Sequence, residues 1–167
     1  MIRVATITAS DTRTPETDEG GRVLGELARD AGFEVASHVI VREDLEILRE
    51  AVRDAAEGDV DAVLVTGGTG LGPRDVTIEA VRPLFAKEME GFGEAFRRLS
   101  WDEVGARSLL SRATAGVTHT ARGDRKIVVA LPGSVNGVRL GMQRLVAPML
   151  DHAVAVARGT AKHGPKA

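Results

Sequence analysis

The run Ala62-Val63-Leu64-Val65-Thr66-Gly67-Gly68-Thr69-Gly70-Leu71-Gly72-Pro73-Arg74-Asp75-Val76-Thr77 decides the architecture of this chain. It opens as a short apolar stretch rich in valine, which reads as a buried strand. Four glycines then fall within six residues, a proline follows, and Thr77-Ile78-Glu79-Ala80-Val81 can begin a helix. Strand, Gly-rich loop and helix start, in that order, can hold a phosphate. Side chains are absent where backbone must approach, amide N–H groups are free to point inward, and a helix N-terminus favours negative charge. No Gly-Lys-Ser/Thr follows, so the loop is not a P-loop, and it lacks the GxGxxG spacing of a dinucleotide fingerprint. A tight strand-to-helix turn is the plain alternative. Asp75 bears on the choice, because an acid beside a phosphate loop is repulsive unless it holds a metal or takes a proton. As a helix N-cap it would need no such role.

Upstream, Ile2 to Ala9 reads as a first strand. The polar, turn-rich stretch Ser10 to Gly21 is long for a strand-to-helix connection, and long loops in compact domains often carry function. Val23, Leu24, Leu27, Ala28 and Ala31 recur at helical spacing, with Gly32 where that helix should stop. Phe33 to Val41 alternates as a second strand. Leu45, Leu48, Val52 and Ala55 give a second amphipathic helix, with Glu43-Asp44 at its start. Capping explains Asp44.

Downstream, Pro83 should keep the helix after the loop short, because it cannot donate a backbone hydrogen bond. Phe92, Phe96 and Leu99 lie on a further helix with Trp101 close by, an aromatic stripe that reads as core or subunit contact. Ala113 to Thr120 and Lys126 to Leu131 are β-like runs separated by Ala121-Arg122-Gly123-Asp124-Arg125, a hairpin signal. Pro132-Gly133-Ser134 leads into a helix bearing Val138, Met142, Leu145 and Val146, which Pro148 should kink or restart. Residues 1–158 read as one domain and 159–167 as a frayed tail.

The order β-α-β-α-β-α, then hairpin and helix, predicts a three-layer α/β fold. Its sheet is mostly parallel with one antiparallel strand, and helices cover both faces. Ligands in such sheets sit at the carboxyl ends of the strands. Ser10-Asp11, Glu43, Thr66 to Asp75 and Pro132 to Ser134 all fall at that edge.

Composition narrows the function classes. A net charge of -2 over 167 residues argues against a general nucleic-acid binder. The absence of cysteine excludes disulfides, zinc-thiolate sites and iron–sulfur clusters. No signal peptide or membrane-length apolar run is visible, so a cytoplasmic protein is expected. Aromatics are only 3% with no tyrosine, so stacking between rings is not the expected recognition device. The histidines His38, His119, His152 and His163 show no ligand spacing and read as structural or exposed.

Several separated blocks resemble one family. Thr66-Gly67-Gly68-Thr69-Gly70 with Arg74-Asp75 and Thr77, Glu90 to Arg97, Leu110-Ser111-Arg112-Ala113 and Leu131-Pro132-Gly133-Ser134 are similar to the MoaB/Mog family of molybdenum cofactor biosynthesis, the molybdopterin adenylyltransferases. The resemblance runs from Val4 to about Ala157, and Ser10-Asp11 and Asp18-x-Gly20 match its first block. It implies molybdopterin and ATP as substrates, a homo-oligomer (a trimer), and leaves open a separate partner protein that inserts molybdate. Glu43 departs from the pattern, standing where these enzymes usually carry an aspartate across the cleft from Asp75. Arg42 replaces a common proline.

Two carboxylates, an anion cradle and several hydroxyls fit nucleotidyl transfer, which a divalent metal held by carboxylates and phosphates assists. Glu43 and Asp75 are the expected catalytic pair, positioning Mg²⁺ at the α-phosphate of ATP. Thr66, Gly67, Gly68, Thr69, Gly70 and Ser134 are expected to hold the phosphate or pterin end of molybdopterin. Ser10, Asp11, Arg74, Thr77, Pro132 and Gly133 complete the expected binding set, with Arg74 supplying positive charge. Two other readings remain: a non-catalytic molybdopterin carrier of the same fold, and a related domain of the competence-damage type acting on another nucleotide.

Overall fold

Successive residues of the strand Ala62–Thr66 point to opposite sides of the sheet, and both sides are core. Ala62 and Leu64 pack into one apolar cluster, Val63 and Val65 into a second. A strand buried on both faces has no polar positions to spare, which is why this stretch reads as a continuous hydrophobic run. Lys126–Leu131 repeats the pattern: Ile127, Val129 and Leu131 face the first cluster, Val128 and Ala130 the second.

The computed structural model describes residues 1–161. Its strands are β1 (Arg3–Ala9), β2 (Glu34–Val41), β3 (Ala62–Thr66), β4 (Phe85–Glu88), β5 (Thr114–His119) and β6 (Arg125–Leu131). The helices are α1 (Glu19–Asp30), α2 (Leu45–Glu57), α3 (Thr77–Val81), α4 (Glu90–Val104), α5 (Val135–Gly141) and α6 (Ala147–Arg158). Tight 3-10 turns at Arg82–Leu84 and Gly105–Leu110 follow α3 and α4, and a π-helical stretch, Met142–Val146, joins α5 to α6.

The strand order is β2-β1-β3-β6-β5-β4. β1 pairs in parallel with β2 and β3, and β3 with β6, whereas β5 runs antiparallel to both β6 and β4. One strand is therefore antiparallel, as expected. Helices α2 and α3 contribute to the core on one face, and α1, α4, α5 and α6 to that on the other. The expected α/β architecture is the observed one, with β4 added. That edge strand carries the polar residues Lys87 and Glu88 and is largely exposed, a composition that blunts an edge and hides it from hydrophobic patterning.

Asp44 caps α2 by accepting from the amides of Glu46 and Ile47. Asp18 caps α1 by accepting from Gly21. Pro148 lies at the start of α6, directly after the π-helical stretch Met142–Val146, and the chain stays helical through it. Residues 159–161 close α6: Gly159 is left-handed, and the amides of Thr160 and Ala161 both reach the Ala155 carbonyl. The rest of the expected tail, and His163, lie outside the described residues. Phe92 and Phe96 are core residues, while Trp101 is exposed.

Candidate active site

Adjacent central strands that send their connections in opposite directions leave a crevice at their carboxyl ends. β1 leads to β2 on one side, and β3 leads towards the β4–β6 half on the other. A cleft of about 630 Å³ occupies this place, a size that suits a small-molecule ligand. Its walls are the loop after β1, the Gly-rich loop after β3, the segment after β6, and Leu110-Ser111.

Glycine is required where these loops meet. Gly67 and Gly68 have φ of +95° and +64°, a region that L side chains avoid. A Cβ on Gly67 would sit 2.4 Å from the Ala9 carbonyl oxygen, and one on Gly133 3.1 Å from the Gly67 Cα. The Gly67 amide donates to the Leu131 carbonyl at 3.0 Å, and the Thr66 hydroxyl donates to the Pro132 carbonyl at 2.9 Å. The ends of β3 and β6 are thus stitched together under the cleft.

The carbonyls of Gly67 to Gly70 are all engaged. Gly67 O accepts from the Thr77 hydroxyl at 2.7 Å, and Gly68 O from the Thr77 amide at 3.0 Å. Thr69 O accepts from the Arg112 amide at 3.1 Å, and Gly70 O from Arg112 Nε at 2.9 Å. By contrast, among the described residues the amides of Gly68, Thr69 and Gly70 donate to no protein acceptor. Gly68 and Thr69 are buried, and all three residues line the cleft. Unpaired amides in a buried loop are uncommon, and three in succession form a concavity that suits an anion.

Glu43 and Asp75 also line the cleft. Burial, then the charges of Asp11 and Asp75, raise the Glu43 carboxyl above its ordinary pKa, while Arg74 pulls it the other way. One oxygen of Asp75 accepts from the Gly72 amide at 2.7 Å. Val76, not Asp75, occupies the N-cap position of α3, and it makes no side-chain capping bond. The capping explanation for Asp75 therefore falls away.

Of the other expected residues, Ser10, Thr66, Pro132, Gly133 and Ser134 line the cleft. Ser10 Oγ also accepts from the amides of Thr12 and Arg13, and Ser134 caps α5 by accepting from Gly137. Asp11, Arg74 and Thr77 do not line it. Arg74 Nε and Nη2 donate to Asp11 at 2.9 and 2.7 Å, and Asp11 accepts from the Glu43 amide at 3.1 Å. Hydrogen bonds from Arg74 lower the Asp11 pKa, although burial opposes them. These residues brace the wall that presents Glu43.

The cleft also has members that the residue pattern did not single out: Thr8, Thr12, Arg13, Asp18 and Ser111. Asp18 is buried, accepting from the Thr8 hydroxyl at 2.7 Å, with His38 Nε2 at 3.1 Å. His38 Nδ1 lies 2.9 Å from the Thr6 hydroxyl, and His119 and His152 are exposed. Asp18 and Ser111 lie within blocks that carry the family resemblance. Arg13 carried no local signal beyond its place in a long loop.

Residues 5–152 match the family described as a probable molybdopterin binding domain. The chain belongs to the MoaB/Mog family of molybdenum cofactor biosynthesis proteins. A family relative, molybdenum cofactor biosynthesis protein B of Staphylococcus carnosus (strain TM300), is 45% identical over 156 residues, covering 92% of this chain and 89% of the relative. A crystal structure of a molybdenum cofactor biosynthesis protein B superposes with a TM-score of 0.86 at 45% identity, covering 93% of this chain and 95% of that one. The tungsten cofactor synthesizing protein MoaB from Pyrococcus furiosus gives 0.85 at 35% identity, covering 94% and 97%. Within the family fold, no described helix of this member is long and apolar enough to cross a membrane.

Proposed function

We propose that this protein is a molybdopterin adenylyltransferase, joining the AMP portion of ATP to the phosphate of molybdopterin and releasing pyrophosphate. The observation that carries this reading is one cleft shared by three unpaired loop amides and two carboxylates, Glu43 and Asp75. Membership in a family of cofactor biosynthesis proteins supports the choice of molybdopterin.

In the proposed reaction a phosphate oxygen of molybdopterin attacks the α-phosphorus of ATP. The new P–O bond forms as the bond to the bridging oxygen breaks, and that electron pair departs on pyrophosphate. A phosphate nucleophile is already anionic, so no strong base is needed. Alignment and charge compensation are the tasks left to the protein. The amides of Gly68, Thr69 and Gly70 hold one phosphate, with the Ser134 hydroxyl beside them. Arg13, which lines the same cleft, adds positive charge. Arg74 acts at a distance, through Asp11 and the Glu43 backbone.

The donor set suits Mg²⁺, which is commonly held by one or two carboxylates together with substrate phosphates. Among the described residues no group of three metal-ligating side chains forms a ready-made cage, in keeping with that mode. Glu43 and Asp75 would hold the ion. Bound there, Mg²⁺ would neutralise charge on the phosphates. Glutamate in place of the family's usual aspartate keeps the charge and adds one methylene.

The oligomer, a trimer, uses the exposed apolar face at Trp101, Val104, Leu109 and Leu110. A partner protein that inserts molybdate would act on the adenylylated product. Incubation with ATP, Mg²⁺ and molybdopterin tests the assignment, with pyrophosphate and adenylyl-molybdopterin as the expected products. Molybdopterin binding without pyrophosphate release would identify the carrier alternative instead.

A further inference from the structure

The carbonyl side of the Gly-rich loop has a holder with no part in the chemistry above. In a trans peptide the C=O of one residue and the N–H of the next point in opposite directions. Whatever fixes the carbonyls of residues 67–70 on one side therefore sets the amides of residues 68–71 on the other. Thr77 fixes the first two carbonyls, the Arg112 backbone amide the third, and the Arg112 side chain the fourth. Arg112 Nη2 also reaches the Asp75 carbonyl at 3.3 Å. One guanidinium thus spans both ends of the turn that carries the Asp75 carboxylate. Glu79 on α3 grips that guanidinium with both carboxylate oxygens. Arg112 does not line the cleft, so its influence passes through the backbone it holds.

We propose that Arg112, anchored by Glu79, is the positioning residue of the turn from Gly70 to Asp75, and so of the Asp75 carboxylate beside the anion cradle. This rests on reading the Gly-rich loop as a phosphate site. Arginine is needed because its planar fork places donors in several directions at once, whereas a lysine ammonium is a single point charge on a flexible stem. Loss of the fork frees the Gly70 and Asp75 carbonyls, so the turn between them can shift and carry the Asp75 carboxylate away from the amides of Gly68, Thr69 and Gly70, which Thr77 and the Arg112 backbone still hold.

The test is calorimetric titration of pyrophosphate with Mg²⁺ into the parent protein, Arg112→Ala, Arg112→Lys and Glu79→Gln, each first shown to be folded by circular dichroism. Parent binding is expected. Arg112→Ala should bind at least ~tenfold more weakly, the worth of one lost hydrogen bond from a charged group. Arg112→Lys should recover little, Glu79→Gln should fall between, and free guanidinium should restore part of the Arg112→Ala affinity. A parent that does not bind pyrophosphate removes the cradle reading itself. A parent that binds, with folded Arg112→Ala within about twofold of it, overturns the role of Arg112 alone. If Arg112→Ala does not fold, Arg112→Lys decides: parental affinity there shows that charge suffices and overturns the proposal.

Discussion

The Thr77 side chain donates its hydroxyl to the Gly67 carbonyl at 2.7 Å, from a fully buried position one residue beyond the Arg-Asp-Val segment. This threonine fastens the Gly-rich loop through the Gly67 and Gly68 carbonyls. Thr77→Val keeps the shape and removes the donor, leaving a buried carbonyl without its partner, which should cost about 1–3 kcal/mol of stability. Thr77→Ser should retain most of it. Urea denaturation of both variants checks this, and equal stability of Val and parent would contradict it.

Asp75→Asn separates charge from geometry. An asparagine oxygen can still accept from the Gly72 amide, so stability should stay within ~0.5 kcal/mol of the parent. Turnover should fall by about 100-fold or more, close to 3 kcal/mol of barrier, because the charge that would hold Mg²⁺ is gone. Pyrophosphate release is the readout. A loss of threefold or less would remove Asp75 from the chemistry.

Glu43 gives a pH signature. Burial and the neighbouring Asp11 and Asp75 charges raise its pKa in the folded protein, so the folded state holds this proton more tightly than the unfolded chain. Stability is therefore undiminished by this group below the ordinary glutamate value. It declines as pH rises through the folded pKa, and stays reduced above it. Glu43→Gln should remove that decline. The ligand-free variant should gain on the parent as pH rises above the ordinary glutamate range, as measured by denaturant unfolding at each pH. A difference that stays constant over that rise would contradict the sign.

Trp101, Val104, Leu109 and Leu110, on α4 and the turn that follows it, are exposed apolar side chains, and apolar residues grouped at a surface mark interaction sites. Leu109→Glu places a charge among them. Sedimentation should show a trimer for the parent and a smaller species for the variant, with little change in the monomer fold. A monomeric parent at micromolar concentration would remove the oligomer proposal.

Much of this was legible in the chain because the informative features are local. Two strands buried on both faces, glycines at positive φ and an Asp cap before α2 each leave a mark within a few residues. Strand order then carried Ser10, Glu43, the Gly-rich loop and Ser134 to one edge. The illegible part is long-range. Arg112 is 42 residues from Gly70, and Arg74 meets Asp11 across 63. No window of sequence contains either pair, so neither the hold of Arg112 on Gly70 nor the bond of Arg74 to Asp11 can be read from it. Strand β4 stayed hidden for a different reason: an exposed edge strand with Lys87 and Glu88 has no apolar alternation to display.

The π-helical stretch between α5 and α6 has a consequence for the length of the C-terminal helix. One buried seam along it runs Val138, Met142, Val146, Leu150, Val154 and Ala157. These are four steps of four residues and one of three, more than the 3.6-residue turn of a regular helix can keep on one side. The wider winding at Met142–Val146 absorbs the surplus. Deleting the exposed Gln143 would leave steps of four, three, four, four and three, the stride of an unbroken α-helix. The shortened protein should therefore fold with the same apolar residues seated, whereas deleting a residue from the middle of α6 would turn Val154 and Ala157 towards solvent. Here the chain carries one residue of slack, and sequence length and helical phase are free to vary independently.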